Sequence, residues 1–225
     1  MTLYIDYTTS AQFFSDVNNN LLVQKDPRNY INVLSTQQLN TLDNVSLLDI
    51  FLSAGNVVEP HYHQNAAELV YCISGAANVS FINPFTNRLH HYQITPGQVV
   101  NIPQGWWHWE IATADNTHLL AIFNAPIPEV ILGSDILRLT PSEIWAYTYC
   151  LNESSVKNTL APIQRSLFIG PPTGCHQPQG YQPYAPQAQG YQPVPQAQGY
   201  QPAPQAQCCQ PYAPLPHPYH QQPYW

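Results

Sequence analysis

Between residues 46 and 123 the apolar positions fall into short runs, each bounded by Gly, Pro or Asn: 46–53, 57–63, 69–74, 77–82, 89–94, 98–102, 106–113 and 118–123. The runs are rich in β-branched and aromatic residues, which favours strands. Asn83-Pro-Phe-Thr-Asn87 is a turn sequence and predicts that the runs on either side pair as an antiparallel hairpin. With one more strand near 21–23 the total is eight or nine, and short strands at this spacing predict an all-β jelly-roll barrel of two sheets. Beyond residue 123 the pattern becomes helical. Thr140-Pro-Ser-Glu143 reads as a capping box with Pro at the first helical position, opening a helix that carries Ile144, Trp145, Tyr147 and Tyr149. A second helix is predicted over 152–160, ending before Pro162.

Composition then divides the chain. All 19 charged residues lie at or before Arg165, and 14 of the 23 prolines lie beyond Gly170. The expected organisation is an arm over 1–28, a domain with its C-terminal helices over 29–165, and a tail over 166–225. The tail repeats one phrase three times, Gln179-Gly-Tyr-Gln-Pro183, Gln189-Gly-Tyr-Gln-Pro193 and Gln198-Gly-Tyr-Gln-Pro202. Uncharged, poor in aliphatic residues and dense in proline, it has too little apolar surface to offset its ordering entropy and is expected to be disordered. It also holds 7 of the 15 tyrosines and the pair Cys208-Cys209, groups that oxidation can cross-link.

The net charge of −7 comes from the first 165 residues and speaks against nucleic acid or an anionic membrane surface as a partner. Met1-Thr-Leu-Tyr-Ile-Asp6 lacks a charged segment leading into an apolar run, and no run of 18 apolar residues occurs. A soluble chain is expected, cytoplasmic or incorporated in a spore coat. Five cysteines, an odd number, do not form a disulfide framework, and Cys72 is expected to be a small buried residue.

The candidate chemistry lies in the strand region. His61 and His63 are two apart and project from one face of a strand, Glu68 returns a carboxylate after a short turn, and His108 comes from a later strand. Three imidazoles and one carboxylate suit manganese or iron, with nickel, copper and zinc also compatible. His90 and His91 are adjacent, point to opposite faces, and read as hairpin surface or packing residues.

These residues stand in two phrases, Gly55-x5-His61-x-His63-x4-Glu68-x6-Gly75 and Gly97-x5-Pro103-x-Gly105-x2-His108. The pair resembles the two motifs of the cupin superfamily, with every ligand position filled. The asparagine that often follows the last histidine by four is replaced by Ala112. From about Asn29 to Gln164 the chain looks most like the germin and oxalate decarboxylase branch, through Ile31-Asn-Val-Leu-Ser-Thr-Gln-Gln-Leu39 and Asp135-Ile-Leu-Arg-Leu-Thr-Pro-Ser-Glu-Ile144. The resemblance implies a manganese site and oxalate as the first substrate to consider. It also implies a homo-oligomer with the terminal helices against neighbouring subunits. Trp145 and Tyr149, four apart on one helical face, are natural contacts there or a cover for the barrel.

One position departs from the oxalate enzymes, which carry arginine or asparagine three residues before the first ligand histidine; here it is Val58. A buried dianion needs donors or a cation opposite the metal, and neither Arg88 nor Arg138 is an evident replacement. A neutral or apolar substrate would instead suit Trp106-Trp107. Glu110 and Glu59, each two residues from a ligand histidine, are candidates for general acid or base, or for hydrogen bonding to that histidine; the resemblance puts Glu129 where the related enzymes have loops over the metal, which makes it a lid candidate. Two functional readings follow. One is a metal-dependent enzyme, like an oxalate decarboxylase or oxidase, acting on a small carboxylic acid. The other is a structural protein whose metal-stabilised barrel carries a cross-linkable tail that contacts other proteins of an assembly, for instance a spore coat.

Overall fold

The computed structural model describes residues 10–175. The arm's first residues and the repeats with Cys208 and Cys209 lie outside the described residues. The described residues form twelve strands and three α-helices in the order β1 (Leu21–Asp26), β2 (Asn29–Leu34), β3 (Ser46–Leu52), β4 (Val57–Tyr62), β5 (Glu68–Ser74), β6 (Ala77–Asn83), β7 (Arg88–Ile94), β8 (Val99–Ile102), β9 (His108–Ala112), β10 (Thr117–Phe123), β11 (Ile131–Leu132), α1 (Gly133–Leu139), α2 (Ser142–Tyr149), α3 (Glu153–Leu160) and β12 (Ile169–Gly170). One sheet has the order β1-β2-β3-β10-β5-β8 and the other β11-β4-β9-β6-β7, with β12 also on β4. All pairings are antiparallel. This is the jelly roll that the strand spacing predicts.

Alternation places the core. Along β10, Thr117, Leu119, Ala121 and Phe123 are buried while His118, Leu120 and Ile122 are half-buried on the other face. Val70, Cys72, Ala77, Val79, Leu119 and Ala121 form the fully enclosed centre between the sheets, and Cys72 is the packed small residue expected. The β6–β7 turn closes as its sequence predicts: Asn83 Oδ1 accepts from the N–H groups of Phe85 (2.9 Å) and Thr86 (3.2 Å). Gly75 is obligatory for two reasons. Its φ is +72°, and a Cβ there would lie 2.5 Å from Thr117 Oγ1.

The ends of the fold depart from the sequence reading. The segment Ile31–Leu39, which carries part of the resemblance, begins inside a strand that the apolar runs did not include, Asn29–Leu34, and this strand joins β1 to β3 in the first sheet. Helix α1, not expected, precedes the proposed capping box, so Thr140 serves as the C-cap of α1, its N–H donating to Ile136 O at 3.2 Å. Helix α2 therefore starts at Ser142 without a side-chain cap. Asn152 does cap α3, accepting from Ser155 N–H at 2.9 Å. At the other end β12 pairs Ile169 with Val58, so the fold runs past residue 165. The absence of charge there disguised an apolar Leu167-Phe168-Ile169 segment that is pinned to β4. No helix among the described residues is long and apolar enough to cross a membrane.

Candidate metal centre

Four side chains named from the sequence meet inside one end of the barrel. His61 comes from the end of β4 and His63 from just beyond it, Glu68 from the first residue of β5 and His108 from the first of β9. His61 and His108 sit opposite one another across β4 and β9, and all four side chains are buried. Their ligand atoms, one from each residue, lie within 4.8 Å of one another. Glu68 Oε2 is 2.7 Å from His108 Nε2, 3.2 Å from His63 Nε2 and 3.8 Å from His61 Nε2.

The protein backbone fixes the direction of each ring. Nδ1 of His61 donates to the carbonyl of Glu59 at 2.7 Å, that of His63 to Glu129 at 2.8 Å, and that of His108 to Trp106 at 2.8 Å. With Nδ1 protonated, each neutral ring turns an Nε2 lone pair toward the Glu68 carboxylate. Acceptors therefore face acceptors. His63 Nε2 is buried with no hydrogen-bond partner among the described residues. A cation among the four atoms would satisfy this arrangement, and three imidazoles with one carboxylate are a donor set that a divalent transition ion accepts. The residues fit a metal.

Charge follows the same geometry. Burial, and then the neighbouring His108, lowers the pKa of His61 from 6.5 to about 4, so this ring is neutral at pH 7. Burial opposes the charge of Glu68, but the imidazoles gathered around its Oε2, His108 foremost, hold its carboxyl well below the usual range. Glu110 is driven the opposite way. Burial and the nearby Glu68 charge raise its pKa well above the usual range, and both its oxygens are buried without a hydrogen-bond partner among the described residues. Its Oε1 lies 3.8 Å from His108 Nε2, so Glu110 shares the interior with the four converging residues.

Glu59 does not join them. Its carboxylate accepts from Ser134 N–H (2.8 Å), Ser134 hydroxyl (2.8 Å), Leu167 N–H (3.1 Å) and Phe168 N–H (2.9 Å). The register slips between Val58 and His61, so the two-residue alternation that placed Glu59 beside His61 fails across this bulge. Glu59 ties α1 and the segment before β12 to β4, while its backbone carbonyl orients His61. The Glu129 side chain also stays outside the centre: it is exposed, accepts from Gln64 Nε2 at 2.9 Å, and only its carbonyl reaches His63.

The surroundings are apolar. Val58 is 8% exposed and stands opposite Glu110. Arg88 is exposed on the hairpin, and Arg138 pairs with Asp135 at 2.8 Å on α1. The two tryptophans separate: Trp106 packs with Phe81 (5.5 Å between centroids), whereas Trp107 lies near Gly133 and Tyr62. Sequence reasoning missed the three carbonyls, because a backbone group carries no residue signature, and it missed Ser134.

Comparison with known proteins agrees with this fold. The Cupin family model matches residues 26–157. Germin-like protein subfamily 2 member 1 of Arabidopsis thaliana is 30% identical over 138 residues, covering 59% of this chain and 62% of that protein. Nectarin-1 of Nicotiana plumbaginifolia is 31% identical over 146 residues, covering 60% and 61%. The chain thus spans less than two thirds of the length of these relatives. Among solved structures, oxalate decarboxylase from Bacillus subtilis at pH 4.6 shares the fold with a TM-score of 0.64 at 21% identity, over 73% of this chain and 42% of that one. The coconut allergen cocosin does so with a TM-score of 0.62 at 22% identity, over 70% and 43%. With its two motifs on facing strands, its jelly-roll sheets and a family match over more than half its length, the chain belongs to the cupin family.

Proposed function

We propose that this cupin is a metal-dependent enzyme in which His61, His63, Glu68 and His108 hold manganese, and that it acts on a small carboxylic acid in the manner of an oxalate decarboxylase or oxidase. Iron, nickel, copper and zinc fit the same donors. The observation that carries the reading is the convergence of four ligand atoms within 4.8 Å, with every histidine Nδ1 already committed to a backbone carbonyl. Bound there, manganese or iron would supply Lewis acidity toward a carboxylate and one-electron chemistry.

The chain's own contribution is to hold the four side chains, exclude water with Val58, Val79 and Phe81, and present one acid. Glu110, with no hydrogen-bond partner among the described residues and 3.8 Å from His108 Nε2, serves in this reading to hold a proton at Oε1 and give it to a reacting acid beside the metal. The test is an assay of the manganese-loaded protein with oxalate for formate, carbon dioxide and peroxide, repeated with Glu110→Gln. Product from the wild type and a loss of about 100-fold or more in the variant, with metal retained, is expected for a general acid. Unchanged turnover in Glu110→Gln would remove that role, and no product from any small acid would remove the enzyme reading.

Exposed Leu139, Ile144, Tyr147 and Tyr149 on and beside α2 support a homo-oligomer as part of this reading. The three tyrosine-bearing repeats of the sequence support a second role, in which the barrel is carried into a multiprotein assembly such as a spore coat. Oxidised full-length protein should then form dityrosine or disulfide-linked multimers that are lost on removal of residues 171–225.

A further inference from the structure

One wall of the barrel carries groups that the centre leaves unused. The inner face of the second sheet is ordered in rows: His61 faces His108, His108 faces Phe81, and Phe81 faces His90 across β4, β9, β6 and β7. The neighbouring row is Val58, Glu110, Val79 and Tyr92. His90 is therefore two strands from His108, about 10 Å between backbones at the usual strand spacing. It lies on the inner face, whereas His91 turns outward to Ser80 Oγ at 2.8 Å. The sequence reading of both as surface or packing residues misses this difference.

The rings around His90 make a platform. Phe81 and His90 are 5.2 Å apart at 19°, Phe81 and Tyr92 5.8 Å apart at 26°, and His90 and Tyr92 6.3 Å apart at 7°, so three rings lie nearly parallel. Trp106 stands against it, tilted 53° from Phe81, and Phe85 leans on Trp106 at 54°. The outer end is open, with Tyr92 45% and Phe85 87% exposed. Within this apolar surface His90 Nε2 is buried and has no hydrogen-bond partner among the described residues, an arrangement that costs free energy unless a ligand supplies the partner.

We propose that Phe81, His90, Tyr92 and Trp106 form a substrate slot adjoining the metal, and that the acid it takes is aromatic: a carboxylic acid with a flat ring, whose distal polar group, such as a phenol hydroxyl, bonds to His90 Nε2. The proposal rests on the metal-dependent acid reading above and names its substrate class. The parallel rings and the tilted indole supply the offset and edge-on contacts that an aromatic ring prefers. The apolar lining at Val58 and Val79 has nothing to offer a second carboxylate but accepts a ring. Two strand spacings, about 10 Å, separate His108 from His90, a span on the scale of an acid head with one ring rather than of a two-carbon acid.

Binding tests this without reliance on turnover. Glyoxylate, phenylglyoxylate and 4-hydroxyphenylglyoxylate share one head and add first the ring and then the hydroxyl. Each is titrated calorimetrically into manganese-loaded wild-type protein and into His90→Leu and Tyr92→Leu, whose metal content reports that the centre is intact. The wild type is expected to bind phenylglyoxylate about 10-fold or more tighter than glyoxylate, and the hydroxyl to add about 5-fold. His90→Leu should lose the hydroxyl's gain and keep the ring's, and Tyr92→Leu should reduce the ring's gain. If glyoxylate binds and the ring adds nothing, the slot is overturned while the acid reading stands. If the loaded protein binds none of the three, the acid reading is overturned and the slot with it.

Discussion

Replacing Glu59 separates a catalytic role from the tie observed in the structure. Its Oε1 accepts from Ser134 hydroxyl, Leu167 N–H and Phe168 N–H, and its Oε2 from Ser134 N–H. In Glu59→Gln the amide oxygen can keep the three donors at the first position, but the amide nitrogen then faces the buried Ser134 N–H, a donor against a donor. Leaving that group unpaired costs about 1–3 kcal/mol, and reducing three bonds to a charged acceptor to bonds to a neutral one adds a further ~1–2 kcal/mol. A loss of about 3 kcal/mol is expected, or roughly 6–12 °C in Tm for a folded body of this size. The assay is urea and thermal denaturation followed by tryptophan fluorescence, with metal content measured on the same samples. Because only the Glu59 carbonyl touches His61, metal should be retained in the folded variant. A variant with wild-type stability and abolished turnover would refute the structural role and return Glu59 to catalysis.

Three further outcomes are expected. Gly75→Ala should cost at least about 3 kcal/mol, because a left-handed φ of +72° is combined with a Cβ 2.5 Å from Thr117, whereas Gly97→Ala, at φ +87° with open space around it, should cost only about 1–2 kcal/mol in the same denaturation assay. Equal losses would contradict this packing. In the metal-free protein the low pKa of His61 makes the folded state bind fewer protons than the unfolded state between pH 6.5 and about 4. Its contribution to stability is therefore full above pH 6.5 and is lost as pH falls, by about 2 kcal/mol at pH 5; the raised Glu110 pKa acts in the opposite direction over this window, so the measurement is made in Glu110→Gln, where a flat urea midpoint from pH 7 to pH 5 would contradict the His61 shift. Light scattering at micromolar concentration should show an oligomer that Ile144→Lys with Tyr147→Lys dissociates, since these residues expose 52% and 88% of their surface on α2. A wild-type monomer would contradict that reading.

The strand region was legible because its rules are local. A run such as Thr117–Phe123 alternates inside and outside without interruption, and the ligand histidines follow the same period. The reading failed where a local rule met a tertiary one. The bulge between Val58 and His61 shifts Glu59 out of phase, and only Pro60 in the sequence hints at it. Thr140-x-x-Glu143 has the residues of a cap, but the chain arrives there as the end of α1 and the box does not form. Trp106 and Trp107 read as one pair and face different neighbours. His90 escaped because a histidine beside a second histidine on a hairpin carries no sign of which one faces the barrel until the register of β6 and β7 is fixed.

The convergence of four ligand atoms is the centre of the account, and elemental analysis of the purified protein tests it most directly. About one transition-metal ion per chain is expected, falling to a small fraction in His108→Ala with the barrel still folded by circular dichroism. A folded wild-type protein that holds no ion after incubation with manganese, iron, nickel, copper or zinc, or a His108→Ala variant that binds metal as the wild type does, would contradict it.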